Sequence, residues 1–329
     1  MRRARIGFLG TGWIGRSRLE AIVATGVVEA VAIVEPDEDC AAEALKLAPA
    51  AQLLPSYDAM LSEGLDGIVI ATPSALHASQ SVAALESGAA VFCQKPLGRN
   101  AEEVRAVVDA ARRFDRLLGV DLSYRHTAAV QAIVDALKAG SLGEIFAVDL
   151  TFHNAYGPDK RWFYDRQLSG GGCVIDLGVH LVDLALWLLG FAAVERVNSS
   201  LFANGQRLDA GAEAVEDFAM ATLDLATGTA VRLACSWHLN AGQDAVIEAA
   251  FHGTRASAVL RNVKGSFYDF DLRLNRGTAS EVLVSPPDGW SGRAAAAWAR
   301  QLAVSSRFDE AAAQNVLVAE VLDRIYSGH

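Results

Sequence analysis

Arg5-Ile6-Gly7-Phe8-Leu9-Gly10-Thr11-Gly12-Trp13-Ile14-Gly15 decides how this chain folds. An apolar run of strand length ends in three glycines spaced GxGxxG, and a helical pattern follows over about 13–25. Strand, glycine loop and helix in that order bind a dinucleotide. The first glycine makes the tight turn and the second lets a pyrophosphate approach the backbone. The third packs helix on strand, so that the first helical amides face the phosphates. Gly10, Thr11, Gly12, Trp13, Ile14 and Gly15 are the candidate cofactor loop.

Moving outward, a strand over 30–34 leads to Glu35, twenty positions after Gly15. A carboxylate there accepts hydrogen bonds from a ribose 2′-OH and repels a 2′-phosphate. Pro36 and Asp37 follow, with no arginine beside the acid, so the spacing favours NAD over NADP. Strands over 65–71, 89–93 and 117–120 alternate with helices over 74–87, capped by Ser74, and 101–114. That alternation predicts a parallel sheet covered on both faces, with ligands at the carboxyl ends of its strands. Thr72, Pro73 and His77, and then Gln94, Lys95 and Pro96, join the glycine loop at that edge. His77 reads as a surface or cofactor-edge residue. A lysine at a strand end is ordinarily solvated, but beside a nicotinamide its ammonium can hydrogen-bond a reacting hydroxyl.

The alternation stops after Asp121, dividing the chain into 1–122 and 123–329. A helix over 127–139 and a strand over 144–153 precede an irregular loop over 154–167. Its Tyr156, Lys160, Arg161, Trp162, Tyr164 and Asp165 mix aromatic faces with polar groups, a composition suited to a sugar, or equally to a loop that covers the core with Trp162 buried. Then comes Gly170-Gly171-Gly172-Cys173-Val174-Ile175-Asp176-Leu177-Gly178-Val179-His180-Leu181-Val182-Asp183. Three glycines break the chain and a nearly all-apolar helix starts, which marks it as buried. Asp176, His180 and Asp183 fall at i, i+4 and i+7 on one face. Polar groups in such a helix are either a structural pair or proton-handling machinery, and the helix alone leaves both readings open. No second cluster with ligand spacing accompanies them, so no metal is expected.

From 194 onward, runs over 194–202, 214–225, 229–239, 245–252, 254–261, 265–272 and 281–284 predict an antiparallel meander. No helices alternate with these strands, so an uncovered apolar face predicts a homodimer or homotetramer through this sheet. Helices over 290–304 and 308–326 close the chain; His238 and His252 read as structural.

The 329 residues are 52% hydrophobic and 21% charged, as in a globular protein with a sizeable core. A net charge of −10 with scattered basic residues argues against nucleic acid and anionic membranes as partners. Cys40, Cys93, Cys173 and Cys235 lack ligand spacing and read as reduced thiols, and the longest uncharged apolar stretch, 184–194, is too short to span a bilayer. A cytoplasmic protein is expected.

Taken in order, Gly10-x-Gly12-x-x-Gly15, Glu35, Thr72-Pro73-x-x-x-His77, Lys95-Pro96 and Gly170-Gly171-Gly172-x-x-x-Asp176-x-Gly178-x-His180-x-x-Asp183 resemble the glucose-fructose oxidoreductase / inositol dehydrogenase family (Gfo/Idh/MocA) over essentially the whole chain. The resemblance implies a Rossmann domain followed by a domain with a large, open, mostly antiparallel sheet. It also implies NAD(P)-dependent oxidation of a secondary alcohol on a sugar, sugar acid or cyclitol. His180 would be the general base, Lys95 would hydrogen-bond the reacting oxygen, and Asp176 would orient substrate and lysine. Tyr124, Arg125, His153 and Trp162 become substrate-side candidates with Asp176 and His180. Relatives usually carry Glu-Lys-Pro where this chain has Gln94-Lys95-Pro96. Losing that carboxylate leads to the expectation that Gln94→Glu shifts the pH profile of turnover. A silent sensor on the same fold would be expected to have replaced Lys95 or His180, and neither is replaced. A reductase or dihydrodiol dehydrogenase with a less polar substrate fits the polar, aromatic 154–167 loop less well.

Overall fold

The computed structural model describes residues 2–209 and 212–328, so the outermost residues of the two expected domains, 1 and 329, lie outside the described residues. The chain forms two compact units, Met1–Ser123 with Ser291–Val316, and Tyr124–Trp290 with Leu317–His329.

The first unit is built on a parallel sheet of β1 Ala4–Leu9, β2 Val28–Val34, β3 Gln52–Leu53, β4 Gly67–Ile70, β5 Ala90–Cys93 and β6 Leu118–Val120. Its strand order is β3-β2-β1-β4-β5-β6. The apolar runs became strands because both faces are covered: Ile6, Ile33, Ile68, Ile70 and Val91 are fully enclosed. The order reverses at β1 and β4, and sheets of this kind hold ligands at that reversal, beyond the carboxyl ends of the strands. Helices Glu38–Leu47 and Tyr57–Leu61 escaped the periodicity reading. The first buries only Ala41 and Ala44, too small a stripe to stand out. Ser74 proves to be the first helical residue; Pro73, its φ fixed at −60° by the ring, takes the cap position without a side-chain hydrogen bond.

The chain first leaves this unit after Ser123, one residue past the expected boundary, but a division into 1–122 and 123–329 is corrected by the return of Ser291–Val316. Ala294, Ala295, Trp298, Ala299 and Leu302, on helix Arg293–Val304, fill the first core beside Phe8, Val69 and Phe92. The Trp298 and Phe92 ring centroids are 5.7 Å apart.

The second unit carries β7 Ile145–Asn154, β8 Val194–Ala203, β9 Gln206–Arg207, β10 Phe218–Leu225, β11 Ala230–Ser236, β12 Ala245–Gly253, β13 Ser257–Asn262, β14 Phe270–Arg276 and β15 Ala279–Val284. They form one sheet in the order β15-β14-β13-β12-β7-β11-β10-β8-β9, antiparallel except where β7 meets β11. Two strands start later than their apolar patterns. Glu216 turns inward ahead of β10, and Ser266 closes a turn on Asp269 ahead of β14. Along β10, Ala219, Ala221, Leu223 and Leu225 face the core while Met220 and Thr222 face outward.

Helices Ala128–Lys138, Val179–Leu188 and Gln314–Ser327 lay Val130, Ile133, Val182, Ala185, Val321 and Ile325 against the apolar face. The expectation of an uncovered apolar face is therefore corrected: the chain covers it. The opposite face carries charged pairs, with Arg232 on Asp149 at 2.8 Å, Arg261 on Glu248 at 2.7 Å, and His252 beside Asp149, together with the outward Met220. Arg166–Leu188 is long and apolar enough to cross a bilayer, yet 83% of its most apolar window is buried, the character of a core helix.

Candidate functional site

Gly10 ends β1 with φ +82°, and its N–H donates to the Val34 carbonyl at 2.9 Å. A Cβ on Gly15 would stand 2.1 Å from the Gly10 carbonyl oxygen, so only glycine lets the helix start so close to the strand. A Cβ on Gly12 would meet nothing within 4 Å, which leaves space at the backbone for an approaching phosphate. Helix Trp13–Val23 begins with no side-chain cap and no acid in its first turn, so its amides are free of the usual internal acceptors. An anion completes such a terminus. These residues fit a dinucleotide. Thr11 is buried, Ile14 half-buried and Trp13 65% exposed at the mouth of the loop. Glu35 accepts from the Thr11 N–H at 2.5 Å and from the Asp37 N–H at 3.0 Å, which fixes its carboxylate at the loop's edge.

The other two turns at this edge are tied together. His77 is 2% exposed, not a surface residue. Its ring nitrogens lie 2.7 Å from both the Pro96 and the Thr72 carbonyl oxygens. Burial holds its pKa below the usual range, and the two carbonyls pull the other way. The Thr72 hydroxyl donates to Gln80 at 2.6 Å. Gln94 is buried and its amide donates to Asp121, which also receives the Arg18 Nε at 2.5 Å and the Ser123 hydroxyl. The Gln94 amide is thus engaged within the fold, and contact of this turn with the cofactor stays an expectation. A buried carboxylate needs donors on both oxygens, and Gln94 is one of them. Lys95 follows, half-buried at the end of β5, on a cis bond to Pro96.

In the second unit, Val174–Gly178 is a π-helical turn, with the Val179 N–H reaching back to the Val174 carbonyl, and a regular α-helix, Val179–Leu188, continues from it. Such turns recur at functional sites because they re-aim side chains within a helix. Here each polar group meets a different neighbour. Asp176 is half-buried and accepts from the Trp237 indole N–H at 3.1 Å. His180 is buried with its ring 4.8 Å from Tyr124. Asp183 is 1% exposed and receives the Arg125 guanidinium through two nitrogens. Burial raises the Asp183 pKa, and Arg125 opposes that rise.

The start of this helix is held by a residue the sequence reading passed over. Glu216 accepts from the N–H groups of Gly172 and Val174, both at 2.9 Å, and from the Tyr326 hydroxyl at 2.8 Å. The glycine triplet makes room for this anchor. A Cβ on Gly171 would stand 2.0 Å from the Tyr326 hydroxyl oxygen, and one on Gly172 would stand 1.9 Å from the Glu216 carbonyl oxygen. Nothing in the sequence singled it out, since Glu213 and Asp217 stand beside it.

The substrate-side candidates separate. Tyr124 packs on His180, Phe152, Phe270 and Trp290, and burial pushes its pKa up. Trp162 stacks on Phe163 at 3.8 Å, and Phe163 meets the edge of Trp237 at 6.3 Å. His153 bonds the Ser236 hydroxyl at 2.8 Å and stacks on Phe218, with its pKa lowered by burial. In Arg125 the fork is engaged by Asp183 and the guanidinium lies over Trp187. Trp237, one residue beyond β11, was missed because nothing in its spacing links it to Asp176. Among the described residues no group of three or more His, Cys, Asp and Glu could hold a metal ion.

Comparison with known proteins adds to this geometry. Residues 4–122 match the family described as the oxidoreductase family with an NAD-binding Rossmann fold (GFO/IDH/MocA), and residues 130–259 match the GFO/IDH/MocA C-terminal domain. D-glucoside 3-dehydrogenase of Escherichia coli is 31% identical over 205 residues, which is 59% of this chain and 58% of that protein. That stretch spans less than two thirds of the relative's own length. Levoglucosan dehydrogenase of Pseudarthrobacter phenanthrenivorans is 26% identical over 289 residues, 79% of this chain and 74% of that one. A solved levoglucosan dehydrogenase in complex with NADH and levoglucosan has the same fold, with a TM-score of 0.83 at 21% identity over 98% of this chain and 96% of that one.

Proposed function

Since this chain belongs to the GFO/IDH/MocA family of NAD-binding oxidoreductases, we propose that it moves a hydride between nicotinamide and a secondary alcohol of a sugar, sugar acid or cyclitol. The observation that carries the reading is the π-helical turn that presents Asp176, held by Trp237, one turn before the buried His180. The nicotinamide, when bound, supplies the hydride acceptor, or the donor in the reverse reaction. His180 takes the hydroxyl proton as the carbonyl forms and returns it in reduction. Lys95 hydrogen-bonds the same oxygen and stabilises the negative charge that develops there. Asp176 receives a neighbouring hydroxyl and orients the ring, with the Trp237 indole fixing one of its oxygens.

NAD is the preferred cofactor in this proposal. Glu35, held at the loop's edge by two backbone N–H groups, accepts from a ribose hydroxyl and repels a 2′-phosphate. The four cysteines are free thiols, in keeping with a cytoplasmic enzyme. The proposal also keeps self-association through the second sheet, now on the open face of Arg232, Asp149, Glu248 and Arg261.

The test is NADH formation against a panel of aldoses, glycosides, sugar acids and inositols, with NAD and with NADP, and with Lys95→Met alongside. Turnover on one class, lost at least about a thousandfold in the variant, is the expected result. Turnover unchanged in Lys95→Met would sink the assigned roles.

A further inference from the structure

Both ring nitrogens of His77 lie 2.7 Å from carbonyl oxygens, Nδ1 from that of Pro96 and Nε2 from that of Thr72. A carbonyl oxygen only accepts, and a neutral imidazole carries a single N–H. The ring therefore serves both partners only as an imidazolium. We propose that His77 is a positioning residue for hydride transfer: its Nδ1–H holds the Lys95–Pro96 turn in either protonation state, and a second proton on Nε2 draws in the Thr72–Pro73 turn. This rests on the dehydrogenase reading, in which Lys95 meets the reacting oxygen, and adds what holds that lysine's backbone and the turn beside it.

Lys95 stands between two fixed residues. Ahead of it, the Gln94 N–H donates to the Ile70 carbonyl at 2.9 Å and the Gln94 side-chain amide donates to Asp121. After it comes Pro96, which has no N–H to contribute, so its carbonyl is its one backbone tie. His77 belongs to helix Ser74–Glu86, which starts directly after Thr72 and Pro73. One imidazole thus joins the turns beyond β4 and β5, neighbouring strands of the parallel sheet. Fixing a turn in this way matters for rate, because a displacement of about 1 Å at a reacting group can cost on the order of a hundredfold.

Enclosure selects which carbonyl the neutral ring serves. Pro96 is buried and Thr72 half-buried. A buried carbonyl left without a donor costs more than one that water reaches, so the single proton of the neutral ring sits on Nδ1. The groups around the ring set when the second proton arrives. Burial, above all, and the Lys95 ammonium oppose it, while the two carbonyls and the Glu103 carboxylate favour it. Glu103 faces the ring from helix Ala101–Arg113 and is itself bound by the Arg99 Nε at 2.9 Å. With burial the largest influence, the second proton binds below the ordinary histidine range. Near pH 8 the ring holds only the lysine turn, and both turns are held as pH falls.

The test uses the full chain. Nitrogen-15 spectra of the His77 ring are expected to show a neutral ring protonated on Nδ1 at pH 8, with the second proton arriving below the ordinary histidine range. A proton on Nε2 at pH 8, an imidazolium at pH 8, or a ring that never takes a second proton would overturn the proposal. Two variants that do not titrate separate the two turns. The amide nitrogen of His77→Asn takes the place of Nδ1, and that of His77→Gln the place of Nε2. His77→Asn should keep kcat within about threefold, whereas His77→Gln should lose about tenfold or more. Wild-type affinity for NADH should rise about two- to threefold relative to His77→Asn as pH falls through the ring's titration. Equal kcat losses in the two variants, as a merely structural histidine would give, or NADH affinities that keep a constant ratio across pH, would also overturn it. If neither variant folds, the wild-type ring spectra decide. Failure of every sugar to reduce NAD would remove the dehydrogenase reading, whereas the spectra and the NADH titration need no turnover and test the tie itself.

Discussion

Gln94 shows how one amide can be dictated by a residue far along the chain. Its neighbour Asp121 is buried and already ionically paired with Arg18. A glutamate at 94 would set two carboxylates a hydrogen bond apart, which a buried site tolerates only if one takes a proton. Gln94→Glu should therefore lower unfolding stability by about 3 kcal/mol at pH 8 and by less at pH 5, as urea midpoints would show. The deficit grows with pH because like charge raises the acid's folded pKa. The stability is present while the acid is protonated and lost as pH rises through that value. Trp237→Phe removes the N–H that reaches Asp176 while keeping the ring. It should cost about ten- to a hundredfold in kcat/KM, since a hydrogen bond to a charged group contributes about 1.5–3 kcal/mol, with an unchanged melting temperature. Of the candidate site, Lys95, Asp176 and His180 stand out in the sequence as polar groups bordering apolar runs, and their roles are proposals. The contacts of Trp237, Gln94 and Arg125 were not legible, because partners such as Asp176, Asp121 and Asp183 lie tens of residues away and follow no period.

At the scale of the element, the helix that carries Asp176 and His180 is anchored by a single carboxylate. Burial raises the Glu216 pKa, against the pull of the Val174 and Gly172 N–H groups and the Tyr326 hydroxyl. An acid whose folded pKa lies above its unfolded value, about 4.3, stabilises fully below that value and loses the contribution as pH rises through the folded one. Glu216→Gln does not titrate, so the wild-type advantage in melting temperature should shrink from pH 4 to pH 8. A gap that widened over that range would contradict the assignment. Elements were legible where an apolar period ran long enough, as in β1, β10 and the helix after Gly172. They were misjudged where side chains interrupt the ladder, as Glu216 does before β10, or where alanines carry the stripe, as in Glu38–Leu47. The π turn left no trace, since its residues are as apolar as those of an α-helix.

For the molecule as a whole, the sheet reading was right about strands and wrong about what covers them. With the apolar face closed by helices from the same chain, pairing through the open face would join the outward Met220 to exposed ion pairs such as Arg232–Asp149. Pairs of this kind contribute little singly and are screened by salt. Sedimentation should show association weakening between about 0.05 and 0.5 M salt. Salt-independent association would point to another surface.

The return of Ser291–Val316 to the first unit carries a consequence for how the chain is made. The ribosome finishes all six strands of the parallel sheet by Val120, yet Trp298 and Leu302, which complete its core, emerge far later. At about 5–20 residues per second that delay is roughly nine to thirty-six seconds. Throughout it the nascent sheet keeps an unsealed apolar surface in the cell. The first domain to be synthesised is thus among the last to be closed, and a chaperone that shields it during elongation would shield this surface.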